Sequence, residues 1–402
     1  MPSVDIASGI DCEDSVTRPK QQQNFSKGRM APVMLSANSF WNIVNFRAAL
    51  VEALVAAGHR VRLAAPGADT DWARKRDAEA IDIRVDRSGL NPINDAILWF
   101  DYLRLFRQGK QGFFLGFTAK PNIYGSLAAR MAGVTSLPNV SGLGTAFMND
   151  GPLSRFVLAL YRLAFRRCPI VFFQNPDDRD LFVARKIVRP GQARVLPGSG
   201  IDLDHFAPAP QPDGGNERRF LFIGRLLGDK GVREFVEAAR LLRKEQPSWR
   251  FQLLGELDPG NRSGVDAKEL EHWVGRGWVE HLGHAEDVRP HIAAATAVVL
   301  PSYREGLPRS LLEGAAMARP LIATNVPGNR SLVEQGVNGL LCEVRNPRSL
   351  AEAIRQLGSL DAERRSQMGR EGRILVERSF GVKRVVEAYL DAMAQLAATA
   401  RV

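Results

Sequence analysis

Glu305-Gly306-Leu307-Pro308-Arg309-Ser310-Leu311-Leu312-Glu313-Gly314-Ala315 is the stretch from which the fold follows. The apolar run before it, Ala297-Val298-Val299-Leu300-Pro301-Ser302, has the length and uniformity of a strand buried on both faces. After it, Leu311, Leu312, Ala315, Ala316 and Met317 fall on one helix face. Arg319-Pro320 stops that helix, and Leu321-Ile322-Ala323-Thr324 predicts the next strand. The unit is therefore strand, tight loop, helix, strand. Pro308 suits a first helical turn, where a missing N–H costs nothing, and Gly306 lets backbone approach a ligand closely. The helix N-terminus directs free N–H groups and positive dipole into the crevice at the strand's carboxyl end, a place for phosphate. Glu305 in the loop and Glu313 in the helix put two carboxylates there, each able to take paired hydroxyls. By spacing alone, two glutamates eight apart are a loop acid and a helix-surface acid.

The surrounding residues change that reading. Ser302-Tyr303-Arg304-Glu305-Gly306-Leu307-Pro308-Arg309-Ser310-Leu311-Leu312-Glu313 and onward through Thr324 resembles the donor-site motif of the family-4 retaining glycosyltransferases. Phe222-Ile223-Gly224-Arg225-Leu226-Leu227-Gly228-Asp229-Lys230-Gly231 is similar to that family's phosphate-contacting motif, and the two occur in the family's order. The resemblance implies an α/β protein with the GT-B fold, two Rossmann-like domains facing across a cleft. It implies a nucleotide-sugar donor and no cofactor.

Length and composition agree with two domains: 402 residues are many for one core, and 45% hydrophobic residues is ordinary for a globular protein. The net charge is +10, of which +6 lies in residues 31–216 and +4 in residues 217–402. Such an excess serves nucleic acid, an anionic membrane face or phosphorylated substrates, and no arginine-rich run or RNA-binding signature selects nucleic acid. Cys12, Cys168 and Cys342 are scattered, so neither a disulfide framework nor a zinc site is indicated. No run of about eighteen apolar residues predicts a membrane span. Residues 1–30 are polar, with Gln21-Gln22-Gln23, and read as a disordered extension rather than a signal peptide, with Met30 an alternative start.

Along residues 31–206, Val33–Ala37, His59–Pro66, Ile81–Val85, Gly112–Thr118, Val171–Asn175 and Ala193–Pro197 are predicted strands, alternating with helices. No G-x-G-x-x-G follows the first strand, which counts against a dinucleotide-dependent oxidoreductase. Ala207–Asn216 is Pro- and Gly-rich and lies in the linker, set at 207–218. Strands recur at Phe251–Leu254, Trp278–Leu282, Val298–Pro301 and Leu321–Thr324 in a donor-binding domain over 219–378. By resemblance, residues 379–402 form a helix crossing back to the first domain. The amino-terminal segments, Phe40–Arg47 included, resemble the branch that builds capsule, O-antigen or lipid-linked glycan precursors.

The chemistry implied is sugar transfer from a UDP-sugar to a lipid-linked saccharide, with retention. The sugar is expected to be a hexose or N-acetylhexosamine. The leaving phosphate needs fixed cations, and Arg225 and Lys230 fit that need, since arginine grips phosphate with a fork and lysine acts as a point charge. The resemblance gives Glu305 the donor sugar and Glu313 the ribose, adds the amides of Gly306 and Leu307 to the clamp, and places Gly224, Gly255 and Glu256 near the nucleotide. On the acceptor side, Asn42, Lys120, Asn122, Asn139 and Ser141 sit in loops after first-domain strands, where ligands of open α/β sheets bind. Many members of the family carry a histidine where this chain has Phe117-Thr118, so that residue's role is not transferred. No metal is expected. Asp69-Thr-Asp71 and Asp202-Leu-Asp204 read as caps or turns, and His281 and His284 flank a strand end. Leu153–Cys168 mixes aromatics with Arg155, Arg162, Arg166 and Arg167, and reads either as a packed helix or as a basic face docking on an anionic membrane. The location expected is cytoplasmic, peripheral to the inner face of the plasma membrane. Two alternatives stand: a nucleotide-sugar epimerase on the same scaffold, and a non-catalytic basic membrane-associated protein.

Overall fold

The computed structural model describes residues 30–86, 91–109, 112–142, 151–212 and 215–399. The disordered extension read over residues 1–30 thus falls almost wholly outside them. In the first half, β1 (Val33–Ser36), β2 (Val61–Ala64), β3 (Ala78–Ile81), β4 (Phe113–Gly116) and β5 (Thr135–Ser136) form a parallel sheet in the order β3-β2-β1-β4-β5. A second parallel sheet, β6 (Asn139–Val140), β7 (Val171–Phe173) and β8 (Ala193–Val195), joins it through a parallel bridge between Phe117 and Asn139. In the second half, β9 (Arg219–Ile223), β10 (Arg250–Leu254), β11 (Glu280–Gly283), β12 (Ala297–Leu300), β13 (Leu321–Thr324) and β14 (Gly339–Cys342) form one parallel sheet, β11-β10-β9-β12-β13-β14. Parallel strands need crossovers, and the intervening helices cover both faces, which is why β1, β2, β4, β12 and β13 are buried along their whole length.

One strand lies earlier than its sequence pattern indicates. Ile81-Asp82-Ile83-Arg84-Val85 alternates like a strand, yet the ladder with β2 ends at the pair Ala64–Ile81. Beyond it, the Asp82 carboxylate turns back to accept the Gly67 amide at 2.9 Å, and this leaves Ile83 and Val85 packed from an irregular segment. The edge strand β14 is an addition to the predicted set.

The second domain has one continuous core, whereas the first has three packed clusters. The final helix, Val382–Thr399, contributes Val385, Tyr389, Ala392 and Met393 to the first-domain core beside Val33, Leu35 and Phe117. Tyr389 is fully buried against Phe172, with ring centroids 4.7 Å apart. Among the described residues no helix is long and apolar enough to cross a membrane.

Candidate active site

The carboxyl ends of β9, β10 and β12 open onto the cleft. Gly224 and Gly255 follow β9 and β10 with φ of 154° and 153°, and a Cβ on Gly255 would overlap the Gly224 carbonyl. The two loops are thus pressed together by residues without side chains. They are stitched by Gly224 N–H to Leu254 O at 3.0 Å and Leu226 N–H to Glu256 O at 2.9 Å. The chain then makes a tight turn, Gly228–Lys230, closed by Gly231 in the left-handed region, where a Cβ would strike the Pro301 carbonyl. That contact seats the turn on the end of β12.

Lys230 is brought there against Glu305. Its ammonium donates to both carboxylate oxygens, at 2.7 and 2.9 Å. The Glu305 side chain is only 10% exposed. Arg225 lies further out, its side chain 61% exposed, and pairs with Asp258 at 2.6 Å. Glu256 is open to solvent, with His284 4.0 Å away. His281 is engaged elsewhere, with Nε2 2.8 Å from the Gly255 carbonyl.

After Glu305, Gly306 passes beneath the first domain so closely that a Cβ would overlap the Ser141 carbonyl. Pro308 is the N-cap residue and the helix runs Arg309–Ala316. The amides of its first turn are free of intrahelical partners, as at any helix start. Glu313 is one turn in and buried. Burial pushes its carboxyl above the ordinary value, and Arg309, donating at 2.8 Å, pulls it part of the way back. Arg309 also donates to the Gly200 carbonyl at 2.8 Å and lies over the rings of Phe206 and Phe46. It therefore ties the Glu313 pocket to the first domain, a role that its place in the motif did not announce.

The facing wall belongs to the first domain. Asn42 lies in the first turn of the helix Phe40–Ala56, its amide N–H donating to the Ser39 cap. Lys120 is neutralised: its ammonium meets Asp95 at 2.7 Å, and the Tyr124 hydroxyl donates to the same carboxylate. Asn122 donates to the Asn139 carbonyl at 2.7 Å, and the Asn139 amide donates to the Tyr389 hydroxyl at 2.8 Å. Ser141 lies where the first domain meets Gly306. The structure thus brings Ser141 against the Gly306 loop, whereas Asn122 and Asn139 are buried. The carboxamide oxygens of Asn42, Asn122 and Asn139 and the hydroxyl of Thr118 are buried without hydrogen-bond partners. Thr118 itself has φ of 69°, a strained conformation for a β-branched residue. Arg47, 3% exposed and 4.2 Å above the Phe117 ring, has no carboxylate partner among the described residues, and burial lowers its pKa to about 10. Sequence reading passed over Arg47 because an arginine inside a helix usually faces solvent. Only its neighbour Phe46 and the buried residues on the same face hinted otherwise.

The D-x-D pairs serve local turns. Asp69 caps a helix through the Trp72 amide at 2.8 Å, and Asp202 accepts from the amides of Asp204 and His205.

Comparison with known proteins agrees with this architecture. A family model described as "Glycosyl transferase 4-like domain" matches residues 43–199, and one described as "Glycosyl transferases group 1" matches residues 217–359. The chain belongs to the family-4 glycosyltransferases of the GT-B fold. One relative of this glycosyltransferase is the N,N'-diacetylbacillosaminyl-diphospho-undecaprenol alpha-1,3-N-acetylgalactosaminyltransferase of Campylobacter jejuni, 27% identical over 78% of this chain and 85% of the relative. Another is an Escherichia coli UDP-Gal:alpha-D-GlcNAc-diphosphoundecaprenol alpha-1,3-galactosyltransferase, 26% identical over 62% of this chain and 67% of that one. Among solved structures, sucrose-phosphate synthase from Thermosynechococcus elongatus superposes with a TM-score of 0.77 at 20% identity, covering 92% of this chain and 100% of that chain. Anabaena HepE in complex with UDP-glucose gives 0.73 at 16% identity, over 91% of this chain and 100% of its own. At these identities the structural matches establish the fold.

Proposed function

We propose that this glycosyltransferase moves a hexose or N-acetylhexosamine, with retention, from a UDP-sugar to a lipid-linked saccharide diphosphate in surface-polysaccharide assembly. The observation that carries the reading is the Lys230–Glu305 pair set beside Gly306 and a helix N-terminus, directly beneath the first-domain loop at Ser141. A cation, free amides and a carboxylate converge where a sugar nucleotide would present phosphate and hydroxyls together.

In this reading Lys230, Arg225 and the amides of Gly306 and Leu307 meet the charge that develops on the leaving diphosphate as the glycosidic bond breaks. Glu305 accepts from sugar hydroxyls and Glu313 from the ribose diol. The narrow Gly224–Gly255 approach and Glu256 border the nucleotide. The acceptor hydroxyl attacks the anomeric carbon from the face the diphosphate leaves, and its proton passes to a leaving phosphate oxygen, so the bond made and the bond broken balance without another base. Asn42 and Ser141 receive the acceptor, backed by Lys120 on Asp95 and by the buried Asn122 and Asn139. The names of two relatives, both acting on diphosphoundecaprenol-linked sugars, favour that acceptor class.

Two helices of the first domain suit an anionic bilayer. On Pro152–Phe165, Phe156 and Leu163 are about half exposed, flanked by exposed Arg155, Arg166 and Arg167. Arg162 is otherwise engaged, donating to the carbonyls of Arg185 and Lys186. On Pro92–Gly109, Ile93, Ile97 and Phe100 continue as Arg104 and Arg107 along a single exposed stripe. Each basic residue near such a surface contributes about 1 kcal/mol, enough in sum for reversible docking from the cytoplasmic side.

The test is a thermal-shift panel of nucleotide sugars, followed by transfer from the stabilising donor to a polyprenyl-diphosphate saccharide. A ligand that binds the native state raises its melting point. No shift with any UDP-sugar, or epimer formed from UDP-N-acetylglucosamine without acceptor, would overturn the proposal.

A further inference from the structure

The donor loop is not held by the second domain alone. Strand β7 of the first domain ends at Phe173, and two residues later Asn175 caps the helix Pro176–Ala184 by accepting the Asp178 amide at 2.8 Å. The Asn175 carboxamide then reaches across the cleft and donates to the Gly306 carbonyl at 2.7 Å. It donates also to Asp178 at 3.1 Å. Asp178, whose side chain is wholly buried, takes a second bond from Arg304 at 2.6 Å. Arg304 and Gly306 are the residues on either side of Glu305. A carboxylate from one domain is therefore buried against a guanidinium from the other, and a carboxamide from the first fixes a carbonyl in the second.

We infer that Asn175 and Asp178 are positioning residues: through Arg304 and the Gly306 carbonyl they set the Glu305–Leu307 loop in its donor-facing geometry only while the domains are closed. The inference rests on the donor-site reading of Glu305 and Leu307. Its physical basis lies in the asymmetry of two interdomain ion pairs. Arg330–Asp177 at 2.7 Å is about four-tenths exposed on both sides and contributes little. Arg304–Asp178 is dry on the Asp178 side, so opening the cleft exchanges its hydrogen bonds for water all at once. Burial raises the Asp178 carboxyl above its ordinary value, and the hydrogen bonds from Arg304 and Asn175 pull it part of the way back. Gly328 completes the arrangement, since a Cβ there would overlap the Gly306 carbonyl that Asn175 holds.

The experiment has two arms. In the first, spin labels at Met131→Cys and Arg276→Cys, both exposed and on different domains, report the interdomain distance without any substrate, in a Cys12→Ser background. Arg304→Gln and Asn175→Ala should each shift the distribution to longer distances, and Arg304→Lys should restore part of the closed population. In the second arm, with the UDP-sugar found in the donor panel, Arg304→Gln should lower kcat by about a hundredfold, the scale of a misplaced reacting group, while UDP affinity falls by much less. The Asp178→Asn, Arg304→Gln double variant should be no worse than either single variant, because the pair acts as a unit. An unchanged distance distribution in both Arg304→Gln and Asn175→Ala overturns the inference. So does UDP affinity falling as far as turnover, or additive losses in the double variant. Absence of transfer from every UDP-sugar would count against the proposed reaction, while the distance arm still decides the positioning role.

Discussion

On the second-domain wall of the cleft Lys230 meets Glu305 at 2.7 Å, Arg309 meets Glu313 at 2.8 Å and Arg225 meets Asp258 at 2.6 Å. On the first-domain wall Arg47 has no carboxylate among the described residues, and Asn42, Thr118, Asn122 and Asn139 each bury an oxygen that nothing bonds. The second-domain wall is thus charge-balanced before any ligand arrives, its loops fixed by glycine contacts at 224, 231, 255 and 306. A fold tolerates buried unpaired polar atoms where something other than stability selects them. Short ion pairs are concentrated on one wall, while the other buries a cation, Arg47, with no carboxylate among the described residues.

The largest effect expected on this contrast is at Lys230. Lys230→Met removes the cation nearest Glu305 and leaves a nearly buried carboxylate alone. Turnover should fall by roughly 10²–10³-fold, or about 2.7–4 kcal/mol of barrier, in steady-state kinetics. Wild-type turnover would show that the pair is structural. Glu313→Ala should come next, raising the donor KM by about 1.5–3 kcal/mol of lost charged hydrogen bonding. Unchanged donor KM would remove Glu313 from the ribose site. Its raised carboxyl also has a pH signature. Folding penalises the ionised form, so wild-type stability declines as pH rises through the raised pKa. Glu313→Gln should lose less stability over that acid-to-neutral span in denaturant titrations.

Arg47→Met sharpens the comparison from the other wall. Replacing an unpaired buried cation with an apolar chain of similar length should raise stability by about 1 kcal/mol or more while lowering transfer. A lower melting point would show Arg47 to be a stabilising residue and erase the contrast. Arg225→Ala should cost less turnover than Lys230→Met, because its guanidinium is solvent-screened, and should change stability by under about 1 kcal/mol. Smallest of all, excess EDTA should leave transfer unchanged, since the Arg–Lys clamp supplies the positive charge. Magnesium-reversible loss of activity would contradict that.

The contrast also explains what could be read beforehand. Residues 222–231 and 302–324 are contiguous, and their glycines and proline occupy positions where backbone geometry demands them, so strand, loop and helix followed directly from spacing. The first-domain wall is assembled from separate segments: the helix that holds Asn42 and Arg47, the stretch Thr118–Asn122 and the stretch Asn139–Ser141. Its Arg47 looks like a surface residue of a helix, and Thr118 carries its strain in a backbone angle that no residue type advertises. Lys120 was a plausible free cation until Asp95, twenty-five residues away, was seen to neutralise it. Asn175 read only as the end of a strand and Asp178 carried no signal, because their partners lie more than a hundred residues further on. The shift of β3 has the same origin: Asp82 is recruited by the loop after β2, and alternation cannot report that.

The burial of Tyr389 has a consequence for biosynthesis. The bond from Asn139 to its hydroxyl joins residues 250 positions apart, and Phe117 and Phe172 complete their packing only against that ring. A ribosome delivers the first domain long before it delivers this residue, and domains generally fold as they emerge. Here the first to emerge must wait, with a gap in its core, until translation of the second is finished. The closing helix therefore acts as a timing element, making the first domain the last to mature.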